Sequence, residues 1–341
     1  MTVLIALVII AAIILVHEVG HFIAAKRIGI PVHEFSLGMG YKLFSTTKNG
    51  TEYSLRLIPI GGFVRMAGED LGDLDDPNGF SKRTPLEKIR VAFAGPFMNL
   101  ALALFIFIYT YAFIGIPSIS DEPVIGSLVE GKPAGIVGLK PGDRIINIDG
   151  KTISYWSDIT REIMSSGGKE LAVTVARGAE TIQYRITPEV DSSGVPAIGI
   201  MGTINYEKQG IINSIKTGFI QTYQLTVMML GGLWMIISGG ASAADLAGPV
   251  GIAQLVGEAA QGGAVFLLSF TAFLSINLGI INLLPIPALD GSRIVFAVVE
   301  AIRRKPLEPE KEGFIHWVGF LFLMMIIIIV TYNDIVRLIK G

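Results

Sequence analysis

A chain of 341 residues with 51% hydrophobic and only 16% charged residues, and a mean hydropathy of +0.59, is too apolar for an ordinary soluble enzyme and implies a polytopic membrane protein. A formal net charge of −2 gives no reason to expect a nucleic-acid partner. Cysteine is absent, which excludes disulfides and thiolate metal sites and leaves the redox compartment open.

The first apolar run, Val3–Ala25, exceeds the roughly 20 residues that a helix needs to cross hydrocarbon. It lacks a basic leader and carries the sequence HEVGH, so it is expected to be retained rather than cleaved. A polar region follows, Lys26–Arg90, with ten Lys or Arg. Within it "TEYSLRLIPIGGFVRMAG" alternates at period two, Tyr53, Leu55 and Leu57 against Ser54 and Arg56, until Gly61 and Gly62 interrupt the pattern. This reads as a hairpin-like strand pair beside the membrane. The second span is the uncharged Val91–Ile116. Ser118–Val190 is soluble in character, with strand-like pieces such as "DRIINIDG" and "LAVTVARG" and a helical piece near Ser157–Ser165. Its "GKPAGIVGLKPGDRIINIDGKTI" resembles the bacterial form of the PDZ domain, which implies an extended peptide or chain end bound at a sheet edge. Gly218–Ile237 is ambiguous, because Gln221, Gln224 and several glycines interrupt its apolar character. Ala264–Leu284 and Phe314–Val330 are spans, separated by a basic cluster of Arg303, Arg304, Lys305 and Lys311. By the positive-inside bias both basic loops are cytoplasmic.

Ionisable residues inside a span cost roughly 2.5–3.5 kcal/mol each on insertion scales, yet the first span holds His17, Glu18 and His21. Four residues apart on a helix, the two imidazoles project from one face and can share one tetrahedral zinc. Glu18, rotated by roughly 100° from His17, is placed to hold the attacking water without ligating the metal, and to accept its proton. A catalytic zinc needs a third protein ligand and an open position. Position 24 is alanine and position 27 arginine, so the metzincin continuation of the motif is missing. His33, His316 and several acids remain as candidates, the best being Asp290 in "NLGIINLLPIPALDGSR". There Pro285 and Pro287 break the helix and bend the chain back. Asn277 and Asn282, on the same segment, carry amides able to donate to a developing oxyanion.

"HEVGH", "GGFVRM", "AGPFMN", the PDZ-like insert, "GPVGIA" and "NLLPIPALDG" occur in an order that resembles the site-2 protease family, closest to its bacterial regulator-of-sigma-E protease branch. The resemblance runs over nearly the whole chain. It implies that His17, His21 and Asp290 bind one Zn²⁺, that Glu18 is the catalytic acid and base, and that Asn282 positions substrate or stabilises the intermediate. It also implies that Gly61, Gly62, Phe63, Val64, Arg65 and Met66 dock unwound substrate. Two departures stand out: a single PDZ-like unit where some relatives carry two, and Asp290-Gly291-Ser292 where Gly-Gly is common after the aspartate.

One zinc shared by His17, His21 and Asp290 requires the segments that bear them to end on the same side of the bilayer. The requirement favours four crossings, with Gly218–Ile237 lying on or dipping into the membrane surface; a re-entrant fold satisfies it equally. The expected fold is a polytopic α-helical membrane protein with four transmembrane helices, a membrane-associated β-hairpin and one inserted PDZ-like α+β domain. Its expected divisions are 1–117, with the first two spans and the hairpin loop; 118–192, PDZ-like; 193–262, interfacial; and 263–341, with the last two spans. The expected location is the bacterial inner membrane, with the PDZ-like domain extracytoplasmic and the zinc site towards the cytoplasm. Expected partners are membrane lipid, a single-span transmembrane substrate such as an anti-sigma factor or a remnant signal peptide, and a peptide or chain end at the PDZ-like domain. Two other readings compete. A zinc transporter or membrane scaffold needs no general base at position 18. A membrane-anchored protease acting on soluble proteins requires HEVGH outside the span, whereas apolar residues run up to Val16 and resume at Phe22.

Overall fold

The computed structural model describes residues 2–69, 73–74, 76–190, 194–240 and 248–340, leaving aside the side chains of 59, 60, 237, 309 and 340. The first apolar run is α1 (Thr2–Ile28), about 40 Å long at 1.5 Å per residue. Lys26 and Arg27 in its last turn complement the helix dipole. Gly29, at φ +85°, stops the helix, and the Ile30 amide donates to the Ala25 carbonyl.

Two long strands follow, β1 (Val32–Lys48) and β2 (Thr51–Met66). The sequence pattern suggests that the halves of "TEYSLRLIPIGGFVRM" pair with each other, but they do not. Glu52–Leu55 and Gly62–Arg65 each pair with the same four residues of β1, Glu34–Leu37, which therefore carry a neighbour on either edge. The reason is a buried polar tie. Glu34 accepts hydrogen bonds from Ser54 (2.6 Å) and Arg56 (2.8 Å), and Thr51 donates to the Val32 carbonyl (2.8 Å). Burial alone would raise the Glu34 carboxyl, yet the bonds from Ser54 and Arg56 hold it below its ordinary value. Ala25, Ile30, Val32, Met66, Phe80 and Val91 form one core beneath this sheet, fixing it against α1 and the next helix.

That helix, α2 (Pro85–Tyr109), starts with a full capping box: Thr84 accepts from the Glu87 amide, and Glu87 accepts from that of Thr84. A wider π-helical turn, Thr110–Ile114, extends it. Helices α1 and α2 are antiparallel. Gly20 abuts Ala94 and Gly95, His21 faces Val91, and His17 faces Asn99. A Cβ at Gly20 would stand 2.3 Å from the Ala94 carbonyl oxygen, so only glycine permits this approach.

The chain divides into two compact units, one of residues up to Ala112 together with those from Gly210 onward, the other Phe113–Gln209. The second unit is wider at both ends than the stretch 118–192 expected of the PDZ-like domain. It contains β3 (Ile116–Ile119), β4 (Ile125–Leu128), α3 (Pro133–Ile136), β5 (Arg144–Ile148), β6 (Lys151–Thr152) and α4 (Trp156–Ser165). After these come β7 (Leu171–Arg177), β8 (Glu180–Ile186), β9 (Glu189–Val190), β10 (Pro196–Ala197), β11 (Ile200–Gly202) and β12 (Ile204–Glu207). Strands β6, β5, β7 and β8 form a sheet in that order. The unit extends past residue 192 because β11 returns to pair with β4 and β12 with β3. Ile125, Ile145, Ile148, Val173, Val175 and Ile186 fill its core, with Ile159 and Ile163 of α4.

The first unit resumes with α5 (Ile211–Ile237), α6 (Pro249–Gln261), α7 (Ala264–Asn282), α8 (Asp290–Arg303) and α9 (Pro309–Lys340). Helix α7 is antiparallel to α2, since Ser275 donates to the Asn99 carbonyl and Gly279 meets Pro96 one turn along. It therefore runs in the same direction as α1. The ambiguous segment lies within α5, which packs Leu225, Met229 and Leu233 against α2 and α7. Among the described residues five helices are long and apolar enough to cross a membrane: α1, α2 extended to Ile114, α5, α7 and α9. Asp334 of α9 caps α6, accepting from the amides of Gly248 (3.2 Å) and Gly251 (2.8 Å).

In the second unit, buried Asp143 is gripped by Arg177 through two 2.7 Å bonds and accepts from the Lys140 amide at 2.8 Å. The bonds from Arg177 hold its carboxyl below the usual range. A lowered native value means that the stabilisation is present above the unfolded value of about 3.9 and is lost as pH falls through the native one. Asp143→Asn in the full chain is expected to cost this unit about 2–3 kcal/mol, because Arg177 is only part-buried. Amide exchange in β5 and β7 at neutral pH measures this, and the gap between variant and parent should close on acidification below about pH 4.

Candidate metal centre

His17 and His21 follow each other by one turn of α1, with ring centroids 4.8 Å apart and their Nε2 atoms separated by 3.1 Å. Both side chains are buried against α2. Between them and α8 sits Asp290, whose Oδ2 lies 3.1 Å from His17 Nε2 and 3.3 Å from His21 Nε2. Asp290 reaches this place because α7 runs parallel to α1 and the Pro285–Leu289 turn folds back on the end of α7, bringing Gly291 against the Leu283 and Leu284 carbonyls. Asp290 then opens α8, where the helix dipole favours a carboxylate.

The surroundings prepare all three donors for a cation. The Val91 carbonyl, 2.8 Å from His21 Nδ1, can only accept, so the proton sits on Nδ1 and the Nε2 lone pair is free. The Asn99 side-chain amide lies 3.3 Å from His17 Nδ1, and its buried Oδ1 has no partner. Exchanging the two ends of that amide lets Oδ1 accept from His17 Nδ1–H, which satisfies both groups and frees Nε2 in the same way. Buried Asp290 Oδ2 also lacks a hydrogen-bond partner while lying within 3.3 Å of both Nε2 atoms. Two imidazoles and one carboxylate converging on one point fit a divalent metal, and the set matches that of catalytic zinc. Among the described residues this is the one cluster of His, Asp and Glu side chains within reach of a shared ion.

A cavity of about 310 Å³ opens over the cluster, lined by Ile14, Glu18, Phe63, Val64, Met66, Leu278, Asn282 and Arg293, among others. Glu18 enters it beside Gly62, where a Cβ would come within 3.3 Å of Glu18 Cγ and 2.9 Å of the Ser36 carbonyl oxygen. The Gly62–Arg65 segment has its ladder partner on one side alone among the described residues, leaving its second edge open. Arg293, one turn beyond Asp290, pairs with Glu69 and covers the Phe80 ring at 5.7 Å. The Glu69 carboxylate holds Arg293 above its ordinary range, so the cation persists at the cavity wall.

The sequence candidates thus separate. His17, Glu18, His21 and Asp290 meet, with Phe63, Val64, Met66 and Asn282 around them. Asn277 and Arg65 do not line the cavity, and Gly61 serves the chain reversal at φ +93°. His33 pairs with Asp73 at 2.7 Å, and His316 accepts from the Ala288 amide at 3.0 Å; neither joins the cluster. Asn99 and Gly95 are contributors that residue-type reasoning passes over, although both lie in the quoted "AGPFMN".

The family model for peptidase family M50 matches residues 5–326. The chain belongs to peptidase family M50. It is 35% identical to zinc metalloprotease RasP of Bacillus licheniformis over 99% of both chains. It is 34% identical to the regulator of sigma-W protease RasP of Bacillus subtilis, again over 99% of both. A putative zinc metalloprotease of Clostridium perfringens is 39% identical over 98% of this chain and 99% of that one. Among solved structures, the PDZ domain of an SdrC-like protein from Listeria monocytogenes matches 24% of this chain and 88% of its own at 28% identity and a TM-score of 0.22. The M50 membership makes this a multi-pass, zinc-dependent metalloendopeptidase of the site-2 protease type, an enzyme of intramembrane proteolysis.

Gly95 makes the histidine pair possible in this peptidase. A Cβ there would stand 2.3 Å from His21 Nε2 and 2.8 Å from His17 Cε1. Gly95→Ala is therefore expected to displace both imidazoles. Zinc per purified chain, measured by mass spectrometry of the metal, should fall from about one equivalent to near zero, as three-ligand catalytic sites demand their full set.

Proposed function

We propose that His17, His21 and Asp290 hold the catalytic zinc, that Glu18 carries the proton, and that the substrate is a transmembrane segment of a single-span protein. The observation that carries this reading is the unpaired Asp290 Oδ2 facing two imidazole Nε2 atoms beside Glu18. When bound, zinc supplies Lewis acidity at the scissile carbonyl and makes water acidic enough to attack near neutral pH.

The protein's own groups perform the remaining steps. A helical peptide bond is protected because its carbonyl is already hydrogen-bonded within the helix. Once unwound, the substrate backbone needs new partners, and the open edge of Gly62–Met66 offers them by strand addition. Phe63 and Val64 flank the docked strand, and Asn282 donates to the carbonyl oxygen as negative charge develops there. Glu18 removes a proton from the attacking water as the oxygen–carbon bond forms, then delivers it to the amine nitrogen as the carbon–nitrogen bond breaks.

The reading includes four crossings. Helices α1 and α7 run the same way and α2 opposes both, so the chain between α2 and α7 crosses an even number of times or not at all. At 13 residues, about 20 Å, α6 is too short to return across a 30 Å core. Helix α5 then enters or lines the bilayer without traversing it. The basic loop Lys26–Arg90 sets the zinc side towards the cytoplasm and the PDZ-like insert outside, in a bacterial inner membrane. There the insert binds a peptide or chain end and excludes substrates with bulky external domains. The regulator of sigma-W protease among the relatives points to a membrane-bound anti-sigma factor as substrate, with remnant signal peptides as a second class.

Glu18→Gln separates this mechanism from zinc binding alone. Co-expressed with a single-span candidate, the variant should lose cleavage by about 10²–10⁴-fold while purified chains keep their zinc. Retained cleavage, read by immunoblot of the substrate, would falsify the assignment of Glu18.

A further inference from the structure

The turn that delivers Asp290 is only partly closed by its own hydrogen bonds. Pro285 and Pro287 lack amide protons, and Ala288 sits at φ +76°, a left-handed conformation that residues with a Cβ rarely adopt. Local bonds close the neighbouring positions: Ile286 donates to Leu284 (2.7 Å), Leu289 to Ile286 (3.1 Å), and the Ser292 hydroxyl to Leu289 (2.6 Å). The Ala288 amide instead donates across 28 residues of sequence to His316 Nδ1 on α9, at 3.0 Å.

We infer that His316 is a positioning residue for the metal centre, fixing from α9 the Ala288 turn that aims Asp290 at the two histidines. Three features support it. The imidazole is seated edge-on against Phe296 of α8 with centroids 5.4 Å apart, so its direction is set by packing. With Nδ1 accepting, the ring proton lies on Nε2, on the side of the Glu312 carboxylate 3.9 Å away. One turn further along α9, Gly319 touches the same turn. A Cβ there would stand 2.3 Å from Pro287 Cβ and 2.4 Å from its carbonyl oxygen. Helix α9 thus meets the turn twice, once through a missing side chain and once through a hydrogen bond. This is how an outer group fixes a ligand it does not touch. His316 thereby takes a role at the centre without being the third ligand.

The inference rests on Asp290 being a ligand, and the test keeps the two apart. Zinc affinity of the purified full chain in detergent is measured by competition with a chelator, alongside thermal unfolding of the metal-free chain. His316→Leu keeps bulk against Phe296 but offers no acceptor, and should weaken zinc by about 10–100-fold. His316→Gln retains an acceptor for the Ala288 amide and should stay within about threefold of the parent. Both should unfold, metal-free, at the parent's temperature. Gly319→Ala should weaken zinc with His316 intact, whereas Gly313→Ala, on the same helix with open space around it, should not. Equal zinc affinity in His316→Leu and the parent, or equal loss in the Leu and Gln variants, overturns the inference. If Asp290→Ala leaves zinc affinity unchanged, the ligand assignment falls and takes this inference with it. Loss there with no loss in His316→Leu overturns this inference alone.

Discussion

Everything in the membrane unit is arranged around one demand: two imidazole nitrogens and a carboxylate oxygen must be buried within 3.3 Å of one another. Apolar surroundings make that arrangement costly without a cation. The fold meets the demand by close helix contact. Gly20 and Gly95 let α1 and α2 approach until backbone meets backbone, and Gly279 does the same between α2 and α7. Small residues at such interfaces are the usual means of bringing membrane helices together, because lipid provides no hydrophobic drive for their association. Helix α2 is the shared wall. It supplies the Val91 carbonyl and the Asn99 amide to the two histidines, and through its backbone it holds Ser275 of the helix that leads to Asp290.

On the proposed reading, hydrolysis of a helical peptide bond needs an exposed bond and a proton carrier, and Gly62 bears on both. With no side chain there, Glu18 can lie against the sheet, and the same position begins the segment whose second edge is open. The sheet is held by a core shared with α1 and α2 and by the buried Glu34 tie. On the proposed reading, a rigid strand edge beside Glu18 is a better template for an unwound chain than a loop, since less conformational freedom is lost on docking.

Local pattern made part of this legible. The His-Glu-x-x-His spacing needs only a helix, and the helix was evident from an apolar run of sufficient length. Asp290 stood as the best of several candidates, with His33, His316 and other acids left open, and the structure brings it to both histidines. Contacts across long sequence separations were not legible. Nothing in the residue type of Gly95 says that two imidazoles fill the space where its side chain would be. His316 read as a spare ligand, since imidazoles bind metals and backbone amides alike and the sequence does not say which is near. The pairing of both halves of β2 with β1 was hidden for the same reason. Alternation reveals a strand's two faces and is silent on which neighbour takes each edge. The second unit outgrew its expected limits because β11 and β12, each under five residues, carry too little pattern to announce themselves.

Asp334 and His316 lie eighteen residues apart on one uninterrupted helix, about 27 Å along its axis. The first grips the start of α6 and the second the turn before Asp290. Helix α9 is therefore a strut of fixed length joining a short helix near one end of the bundle to the chemistry at the other. A tilt of that strut would move the start of α6 and the turn before Asp290 together, so neither can be displaced along α9 without the other.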